Sequence, residues 1–365
     1  MQNHRLKYLD SLRGIAVLMV LMVHSTELSK IEKFRPMIKN FVESGIYGVQ
    51  LFFIISAFTL FYTLNNQQKT NLIFYLRRFF RIAPAYYIAI IFYSWYNNTW
   101  GLGELLNFTF LHGFSPRYIN SIVPGGWSIG IEMFFYLFVP FLFKNINSLN
   151  KALYFLLFTL LFKTAAFYLI KLSVFSSIQA DGSFIYFWFP NQLPIFAIGF
   201  ILHFYLLNDL KSPLQLYKVL MLIIGLVIVS IMTALPIFSN HFIIASAFAL
   251  GIALLKKSKL DIYLEQKLLL FIGKISYSAY LCQYGLIFLI SKIKFYNFIP
   301  EHITGSDYLN FAINLIVLTI MTLLTAFLLY ICIEKPFQKF GSKIIAKYFS
   351  NQHPLIFVKD VSKIN

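Results

Sequence analysis

The chain has 365 residues, of which 59% are hydrophobic and only 12% are charged, and its mean hydropathy is +0.70. Soluble domains are nearer one-quarter charged, so this composition excludes an ordinary soluble globular protein. The formal net charge of +17 would suit nucleic acid, but Lys and Arg fall in short clusters between apolar runs, without RNA-binding or zinc-finger spacing. We therefore expect a helical bundle in a lipid bilayer, with no nucleic acid partner.

Ten apolar stretches are long enough to cross a bilayer as helices. They are approximately Leu12–Ser29, Gly45–Leu64, Ile82–Trp100, Trp127–Phe143, Ala152–Ile170, Phe184–Leu206, Lys218–Phe238, His241–Leu255, Phe271–Ser291 and Leu309–Ile333. If the N-terminus is cytoplasmic, 22 Lys and Arg residues fall on the cytoplasmic side and 8 on the other. Cytoplasmic loops are usually the basic ones, so this arrangement is favoured.

The sequence thus predicts an all-α polytopic membrane protein with about ten transmembrane helices and both termini in the cytoplasm. The transmembrane domain is expected at residues 1–340, followed by a short basic cytoplasmic tail at residues 341–365. The two cysteines, Cys282 and Cys332, lie in apolar segments and form neither a metal-ligand spacing nor a disulfide framework. No metal site or bound cofactor is expected.

The first polar cluster combines Asp10 and Arg13 with His24 on the first span. Arg13 and His24 are 11 residues apart, which on an α-helix is only about 20° from the same face and about 16 Å along the axis. One helix face would therefore present a cation near the cytoplasmic mouth and an imidazole well inside the bilayer. Ionisable groups at such depth are costly and are candidates for function.

A second cluster, Arg77-Arg78-Phe79-Phe80-Arg81, opens the third span. Arg78 and Arg81 are three residues apart and project together from a helix. A basic flank of a membrane span needs charge but not arginine, and most cations of this chain are lysines. Because guanidinium groups bind phosphate and carboxylate with two parallel hydrogen bonds, the cluster predicts an anion site.

The third cluster begins the fourth span with Trp127 and Ser128 and continues to Glu132 and Tyr136. Glu132 lies about one turn into the span, where an unpaired carboxylate is costly, so we expect it to pair with a cation, to be protonated or to face a polar cavity. Ser56 in the second span and the run from Gly273 to Gln283 in the ninth are weaker signals, since small polar residues often only join membrane helices.

Taken together, these clusters resemble the membrane acyltransferase-3 family, bacterial integral-membrane O-acyltransferases that modify cell-surface and secreted glycans. The segment from Leu9 through Arg13 to His24 resembles the family's Arg-x10-His motif, and Arg78-Phe79-Phe80-Arg81 its Arg-x-x-Arg motif. Further segments match in order over nearly the whole chain: Gly48 to Phe58, Trp127 to Tyr136, Gly273 to Tyr280 and Ile333 to Pro336. The chain departs from the family pattern at Ala57, Met133 and Gln283, where relatives often have Gly, a carboxylate and His.

The resemblance implies a multi-pass protein of the bacterial inner membrane that transfers an acyl group from acyl-CoA, most simply acetyl-CoA, to a hydroxyl of a polysaccharide or lipid-linked sugar. Arg13, Arg78 and Arg81 would bind the donor's phosphates. His24 would act as general base or take the acyl group itself, Asp10 would orient Arg13 or a bound substrate, and Glu132 would bind sugar hydroxyls or pair with a cation near the outer mouth. Acceptor contacts are expected from Ser56, Trp127, Ser128 and Tyr136.

Two other functions fit the same polar residues. Intramembrane Arg, His and Glu could form the pathway of a transporter or flippase, although the sequence shows neither an inverted repeat nor paired broken helices. A membrane-bound glycan polymerase would also use arginines on lipid-linked sugars, but that class typically places them in large outer loops.

Overall fold

The structure is a computed structural model and describes residues 6–29, 31–65, 70–171, 182–207, 239–292 and 306–349. These residues form thirteen α-helices joined by turns, and no strand occurs among them. The helices are α1 Lys7–His24, α2 Pro36–Glu43, α3 Gly48–Asn65, α4 Asn71–Asn97, α5 Leu102–Phe108, α6 Gly126–Asn145, α7 Leu149–Lys171, α8 Gly182–Phe187, α9 Phe189–Leu207, α10 Asn240–Lys257, α11 Lys267–Lys292, α12 Asp307–Leu329 and α13 Lys335–Phe349.

Nine of the ten predicted spans coincide with long described helices, and the tenth, Lys218–Phe238, lies outside the described residues. Seven stretches of the described chain are long and apolar enough to cross a membrane: Lys7–Leu28, Pro36–Leu64, Gly126–Asn145, Leu149–Ile170, Ser183–Leu206, Asn240–Lys257 and Asp307–Phe349. Helices α4 and α11 have 27 and 26 residues but are more polar, and they fall outside the seven. The all-helical membrane architecture is confirmed; the number of ten spans and the cytoplasmic termini stay predictions.

Helix α1 lies at the centre of the bundle, between α3 and α11. It approaches α11 closely because glycines face each other across the contact. A Cβ atom on Gly273 would lie 1.8 Å from the Asp10 carbonyl oxygen, and one on Gly14 would lie 2.7 Å from the Leu269 carbonyl oxygen. Small residues permit such close backbone contact between membrane helices, where packing rather than the hydrophobic effect drives association. This contact fixes the turn of α1 that carries Asp10 and Arg13.

Aromatic side chains fill the interior between α3, α6 and α9. Phe196 stacks on Phe53 and Phe135, with ring centroids 4.7 Å and 4.0 Å away, and Phe61 packs on Phe200 at 3.9 Å. The outer surfaces of α4, α6 and α7 are also apolar, with exposed Leu, Ile and Phe side chains. A helix that is apolar on all sides is typical of a membrane span, since lipid covers the outer face.

The C-terminal helix α13 packs against α4 and follows directly on a π-helical turn at Tyr330–Glu334. Gly341 of this helix is buried against the ring of Phe80, where a Cβ atom would lie 2.5 Å from the ring. The predicted boundary between residues 340 and 341 therefore falls inside a docked helix. Residues 350–365 of the predicted tail lie outside the described residues.

Candidate active site

Side chains from α1, α3, α4, α6 and α11 surround an open cavity. It collects polar groups that the sequence separates by more than 100 residues. Seven of the predicted site residues line it: Arg13, Ser56, Arg78, Arg81, Ser128, Glu132 and Tyr136. Because three of these are arginines, we call this space the arginine cavity.

Arg13 is held in place by two neighbours. Its guanidinium donates to Asp10 Oδ1 at 2.9 Å and to Thr59 Oγ1 at 3.1 Å. The carboxylate of Asp10 is buried with it, since the two side chains are only 11% and 16% exposed. Asp10 does not line the cavity, and its role of orienting Arg13 stays a prediction.

Arg78 and Arg81 face the cavity from one side of α4, where the carboxylates of Glu132 and Glu334 act on Arg81 electrostatically. Neither guanidinium forms an ion pair with any residue of the described chain, and Arg78 Nε is buried with no hydrogen-bond partner there. The Arg78 guanidinium instead lies 5.7 Å from the ring centroids of Phe74 and Tyr136. Removing a cation from water without pairing it is unfavourable. The site is therefore electrostatically suited to an anionic ligand.

Glu132 shares the cavity with the arginines instead of lying at a separate outer mouth. Ser56 Oγ donates to Glu132 Oε1 at 2.6 Å, Tyr136 donates to the same oxygen, and the two hydroxyls are 3.1 Å apart. The carboxylate acts electrostatically on Arg13, Arg78 and Arg81 but forms no ion pair with them. Glu132 thus offsets part of the positive charge and leaves cationic capacity for a ligand.

Ser128 and Tyr280 close the end of the cavity where α6 begins. Ser128 Oγ lies 3.0 Å from the Tyr280 hydroxyl, which donates to the Gly125 carbonyl at 3.0 Å. Gly125 has φ +80°, a left-handed conformation that favours glycine, and a Cβ there would lie 2.7 Å from the Tyr280 hydroxyl. This turn sets the position of Ser128.

Trp127 is buried behind the cavity wall and does not line the cavity. Its ring stacks on Phe187 at 4.7 Å and meets the edges of Phe53 and Tyr186 at 6.1 Å and 6.0 Å. Only 5% of its surface is exposed. Trp127 is therefore the one predicted acceptor contact that does not line the arginine cavity, which the other three, Ser56, Ser128 and Tyr136, do.

His24 also lies outside the arginine cavity, at the C-terminal end of α1. It packs on Tyr284 of α11, with ring centroids 4.4 Å apart, and the side chain of Gln283 lies beside it. His24 Nδ1 and Gln283 Oε1 are both buried without a hydrogen-bond partner in the described chain. His24 lies beside Gln283, which follows the cavity residue Tyr280 by three residues on α11. His24 is therefore about one helical turn beyond the cavity lining.

Several cavity residues were not predicted as site residues. Thr59 lies one turn after Ser56 on α3, so its hydroxyl shares the face of a predicted residue. Three further lining residues, Ser276, Tyr277 and Tyr280, belong to the α11 run that was interpreted as joining helices. Tyr277 does join α11 to α4, because its hydroxyl donates to the Ile82 carbonyl at 2.7 Å. No group of three His, Cys, Asp or Glu side chains that could hold a metal occurs within the described ranges.

A family model described as an acyltransferase domain matches residues 6–331. The chain belongs to this family. The match is the acyltransferase-3 family predicted from the motifs, and it extends from the first turn of α1 into the π-helical turn before α13.

Curated relatives of this chain include the O-acetyltransferase OatA of Staphylococcus aureus strain NCTC 8325 / PS 47, 25% identical over 386 residues, covering 93% of this chain and 58% of the relative. A putative O-acetyltransferase of S. aureus strain COL, SACOL0978, is 25% identical over 395 residues, with coverages of 92% and 58%. The chain therefore spans just over half the length of these relatives. No solved structure matches it.

Proposed function

We propose that this protein is a membrane-bound O-acyltransferase that moves an acyl group, most simply acetyl from acetyl-CoA, to a hydroxyl of a cell-surface polysaccharide or lipid-linked sugar. The bacterial inner membrane is its expected location. Family membership and the O-acetyltransferase names of the relatives support O-acyl transfer. The observation that carries the proposal is the convergence of Arg13, Arg78 and Arg81 on one cavity, with no ion pair between Arg78 or Arg81 and a residue of the described chain.

The arginine cavity would hold the phosphates of the acyl donor. Acyl-CoA carries several phosphate groups, and guanidinium groups bind phosphate through charge-assisted, bidentate hydrogen bonds. Arg78 and Arg81 offer donors that no carboxylate of the described chain occupies, whereas Arg13 is preoriented by Asp10 and Thr59. A transporter of neutral substrates would gain nothing from such unpaired buried cations.

His24 would act at the reacting carbon. Along α1 it is about 16 Å from Arg13, so an extended acyl arm bound by its phosphates at the arginines would reach towards it. In direct transfer, the imidazole removes the proton of the sugar hydroxyl, the oxygen bonds to the acyl carbon, the carbon–sulfur bond breaks and the proton passes to the CoA thiolate. In a two-step route the imidazole nitrogen bonds to the acyl carbon, the carbon–sulfur bond breaks and the CoA thiolate leaves with the imidazole proton. The sugar oxygen then bonds to the acyl carbon, the carbon–nitrogen bond breaks and the hydroxyl proton passes to the imidazole.

Glu132 would offset part of the positive charge of the cavity, and Ser56 and Tyr136 would hold its carboxylate in position. Both hydroxyls donate to the same carboxylate oxygen, so their hydrogen atoms are used on Glu132 and not on a sugar. The hydrogen bonds of the Glu132 carboxylate to described residues all involve Oε1. Ser128 and Trp127 lie where α6 begins, on the way from the arginine cavity towards Tyr186.

The test is glycan acylation measured by mass spectrometry in a knockout strain. The strain is complemented with wild type, His24→Ala or Arg78→Ala, and the amount of each protein in the membrane is quantified. We expect the knockout to lose an acyl mass that wild type restores and that neither variant restores. Purified wild type should also hydrolyse acetyl-CoA slowly, which a transporter or a polymerase would not do.

Two variants serve as matched controls. Arg77→Ala removes an adjacent arginine that does not line the cavity, and His203→Ala removes a buried histidine of α9 that packs on Phe58 and Phe61. Both should retain acylation per molecule of protein. If the glycan mass never changes, or if His24→Ala and Arg78→Ala restore it fully, acyl transfer by this mechanism is wrong.

A further inference from the structure

A second open cavity lies between α7, α8, α9 and α10, apart from the arginine cavity. It combines aromatic rings with small hydrogen-bonding groups, and no carboxylate occurs among its described lining residues. The lining includes Tyr47, Tyr186, Trp188, Asn191, Ser239 and His241. Because of its aromatic walls, we call it the aromatic cavity.

Hydrogen bonds organise one wall of the aromatic cavity. Lys163 Nζ donates to Ser239 Oγ at 3.0 Å, and Ser239 Oγ lies 2.9 Å from His241 Nε2. The same ring nitrogen lies 3.2 Å from the Asn191 carbonyl oxygen. Lys163 and His241 are only 6% and 4% exposed. Buried polar groups in such a network have fixed orientations and can select a ligand by its hydrogen-bonding pattern.

The lining suits a polyhydroxylated ligand. Side-chain amides, hydroxyls and imidazole both donate and accept hydrogen bonds, as sugar hydroxyls do. The rings of Tyr47, Tyr186 and Trp188 supply flat apolar surface with polar edges, which matches the apolar face of a pyranose. A CoA donor would require more positive charge, which the arginine cavity supplies. The arginine cavity therefore suits a phosphorylated donor, and the aromatic cavity suits a saccharide.

The aromatic cavity lies at the end of the bundle that holds His24. The turn Ser44–Tyr47 packs against the end of α1, and a Cβ on Gly45 would lie 3.1 Å from Val23, the residue before His24. Tyr47 then contributes to the cavity. From Gly48 to Ser56, α3 rises about 12 Å, and from His24 to Arg13, α1 rises about 16 Å. The aromatic cavity is thus on the same side of the arginine cavity as His24, which is the predicted extracytoplasmic side.

A thin wall separates the two cavities. Gln50 Nε2 donates to the Tyr186 hydroxyl at 3.3 Å and to Gln192 Oε1 at 3.2 Å. Trp127 meets Tyr186 of the aromatic cavity on one side and Phe53 of the arginine cavity on the other. Two substrates, one in each cavity, would therefore be separated by only a few side chains.

We infer that the aromatic cavity binds the acceptor saccharide, while the arginine cavity binds the donor. This inference rests on the proposed function and assigns the second substrate to its own site. It predicts that changes in the aromatic cavity weaken binding of the saccharide and leave binding and hydrolysis of the acyl donor unchanged.

The test uses the full chain in nanodiscs with radiolabelled acetyl-CoA. The acceptor is the host's cell-surface polysaccharide after removal of its O-acyl groups with mild alkali. Asn240→Ala and Trp188→Ala change two cavity residues, and Asn97→Ala and Trp100→Ala are matched controls on exposed positions at the end of α4 and just beyond it. We expect the two cavity variants to raise the KM for polysaccharide about tenfold, with the KM for acetyl-CoA and its hydrolysis unchanged.

The possible results separate the two claims. If wild type neither hydrolyses acetyl-CoA nor transfers acetyl, the proposed function fails. If wild type transfers acetyl and both cavity variants have its KM for polysaccharide, the acceptor site lies elsewhere and the inference is overturned. A phospholipid bound in the aromatic cavity would give this second result.

A direct binding measurement covers the case in which Trp188→Ala or Asn240→Ala also loses hydrolysis through misfolding. Polysaccharide should change the tryptophan fluorescence of wild type, because Trp188 lines the cavity. Trp188→Phe keeps an aromatic ring and should abolish most of that change. If the change persists in full in Trp188→Phe, the polysaccharide does not bind at the aromatic cavity.

Discussion

Ser56 Oγ donates a hydrogen bond of 2.6 Å to Glu132 Oε1 and so joins α3 to α6 at the wall of the arginine cavity. Tyr136 donates to the same oxygen from the next turn of α6. The carboxylate is consequently fixed beside three guanidinium groups without forming an ion pair with any of them in the described chain. Its charge weakens the attraction of the cavity for anions, and its orientation depends on two neutral hydroxyls.

The charge of Glu132 can be tested with Glu132→Gln, which keeps the side-chain shape. Loss of the negative charge leaves the attraction of the three arginines for phosphate less offset, because Coulomb energies rise in a partly buried site. We expect the KM for acetyl-CoA to fall severalfold in steady-state kinetics at low salt. Glu104→Gln is the control, since Glu104 is a buried carboxylate that accepts from Ser94, away from the cavity. An unchanged or higher KM in Glu132→Gln would contradict this electrostatic role.

Arg78 should lower the stability of the unliganded protein. Its guanidinium is half-buried, has no ion pair in the described chain and has a buried, unpartnered Nε. Replacing such a charge by an apolar side chain is often stabilising. We therefore expect Arg78→Met to raise the Tm of the purified protein by roughly 2 °C or more.

The same variant should lose donor-dependent stabilisation. A ligand that binds only the folded protein raises its Tm, so acetyl-CoA should raise the Tm of wild type and of Arg77→Ala but not that of Arg78→Met. A thermal shift assay with and without acetyl-CoA measures both effects. A lower Tm for unliganded Arg78→Met would mean that the arginine has a structural partner after all.

Gly273 should be essential for the contact between α1 and α11. Gly273→Ala places a Cβ 1.8 Å from the Asp10 carbonyl oxygen, so the helices must separate and Arg13 must move with its turn. We expect a loss of about 1–3 kcal/mol in the free energy of unfolding and a higher KM for acetyl-CoA. Gly251→Ala in α10 is the matched control, because nothing lies within 4 Å of its added Cβ. Equal stability of the two variants would show that α11 adapts easily.

The long helices could be predicted from the sequence because each is an uninterrupted apolar run of sufficient length. Nine predicted spans coincide with described helices for this reason. Short helices such as α2 and α5 have no such run, and α13 alternates lysines with apolar residues, so its docking on α4 was not predicted. Docking depends on a tertiary contact, the fit of Gly341 against Phe80, that no local pattern reveals.

The polar residues of the arginine cavity could be predicted because charge inside an apolar run is conspicuous. The relative positions of these residues along the axis of the helix bundle could not be predicted. Helix geometry correctly separates Arg13 from His24 along α1, but whether a cavity includes both depends on the packing of other helices. The stagger of α6 against α4 brings Glu132 to the level of Arg78, and this stagger is set by side-chain packing. Tyr277 and Tyr280 were recognised as polar positions, yet only the fold shows that they face a cavity.

The membrane topology gives the last prediction. If ten spans and cytoplasmic termini are correct, a fluorescent protein fused after Asn365 should fluoresce and an alkaline phosphatase fused there should be inactive. Because the seventh predicted span, Lys218–Phe238, would then run outward, phosphatase fused after Asn240 should be active. The basic clusters on the predicted cytoplasmic side supply the physical reason.

A phosphatase fusion after Lys144 is the internal control, since this basic end of α6 should be cytoplasmic and the fusion inactive. An inactive fusion after Asn240 together with an active one after Asn365 would mean that Lys218–Phe238 does not cross the membrane, because the three later predicted spans would then place the C-terminus outside. The aromatic cavity at Asn240 would then face the cytoplasm, and an acceptor bound there would be a cytoplasmic sugar intermediate instead of a surface glycan. The two fusions therefore decide on which side of the membrane the hydroxyl receives its acyl group.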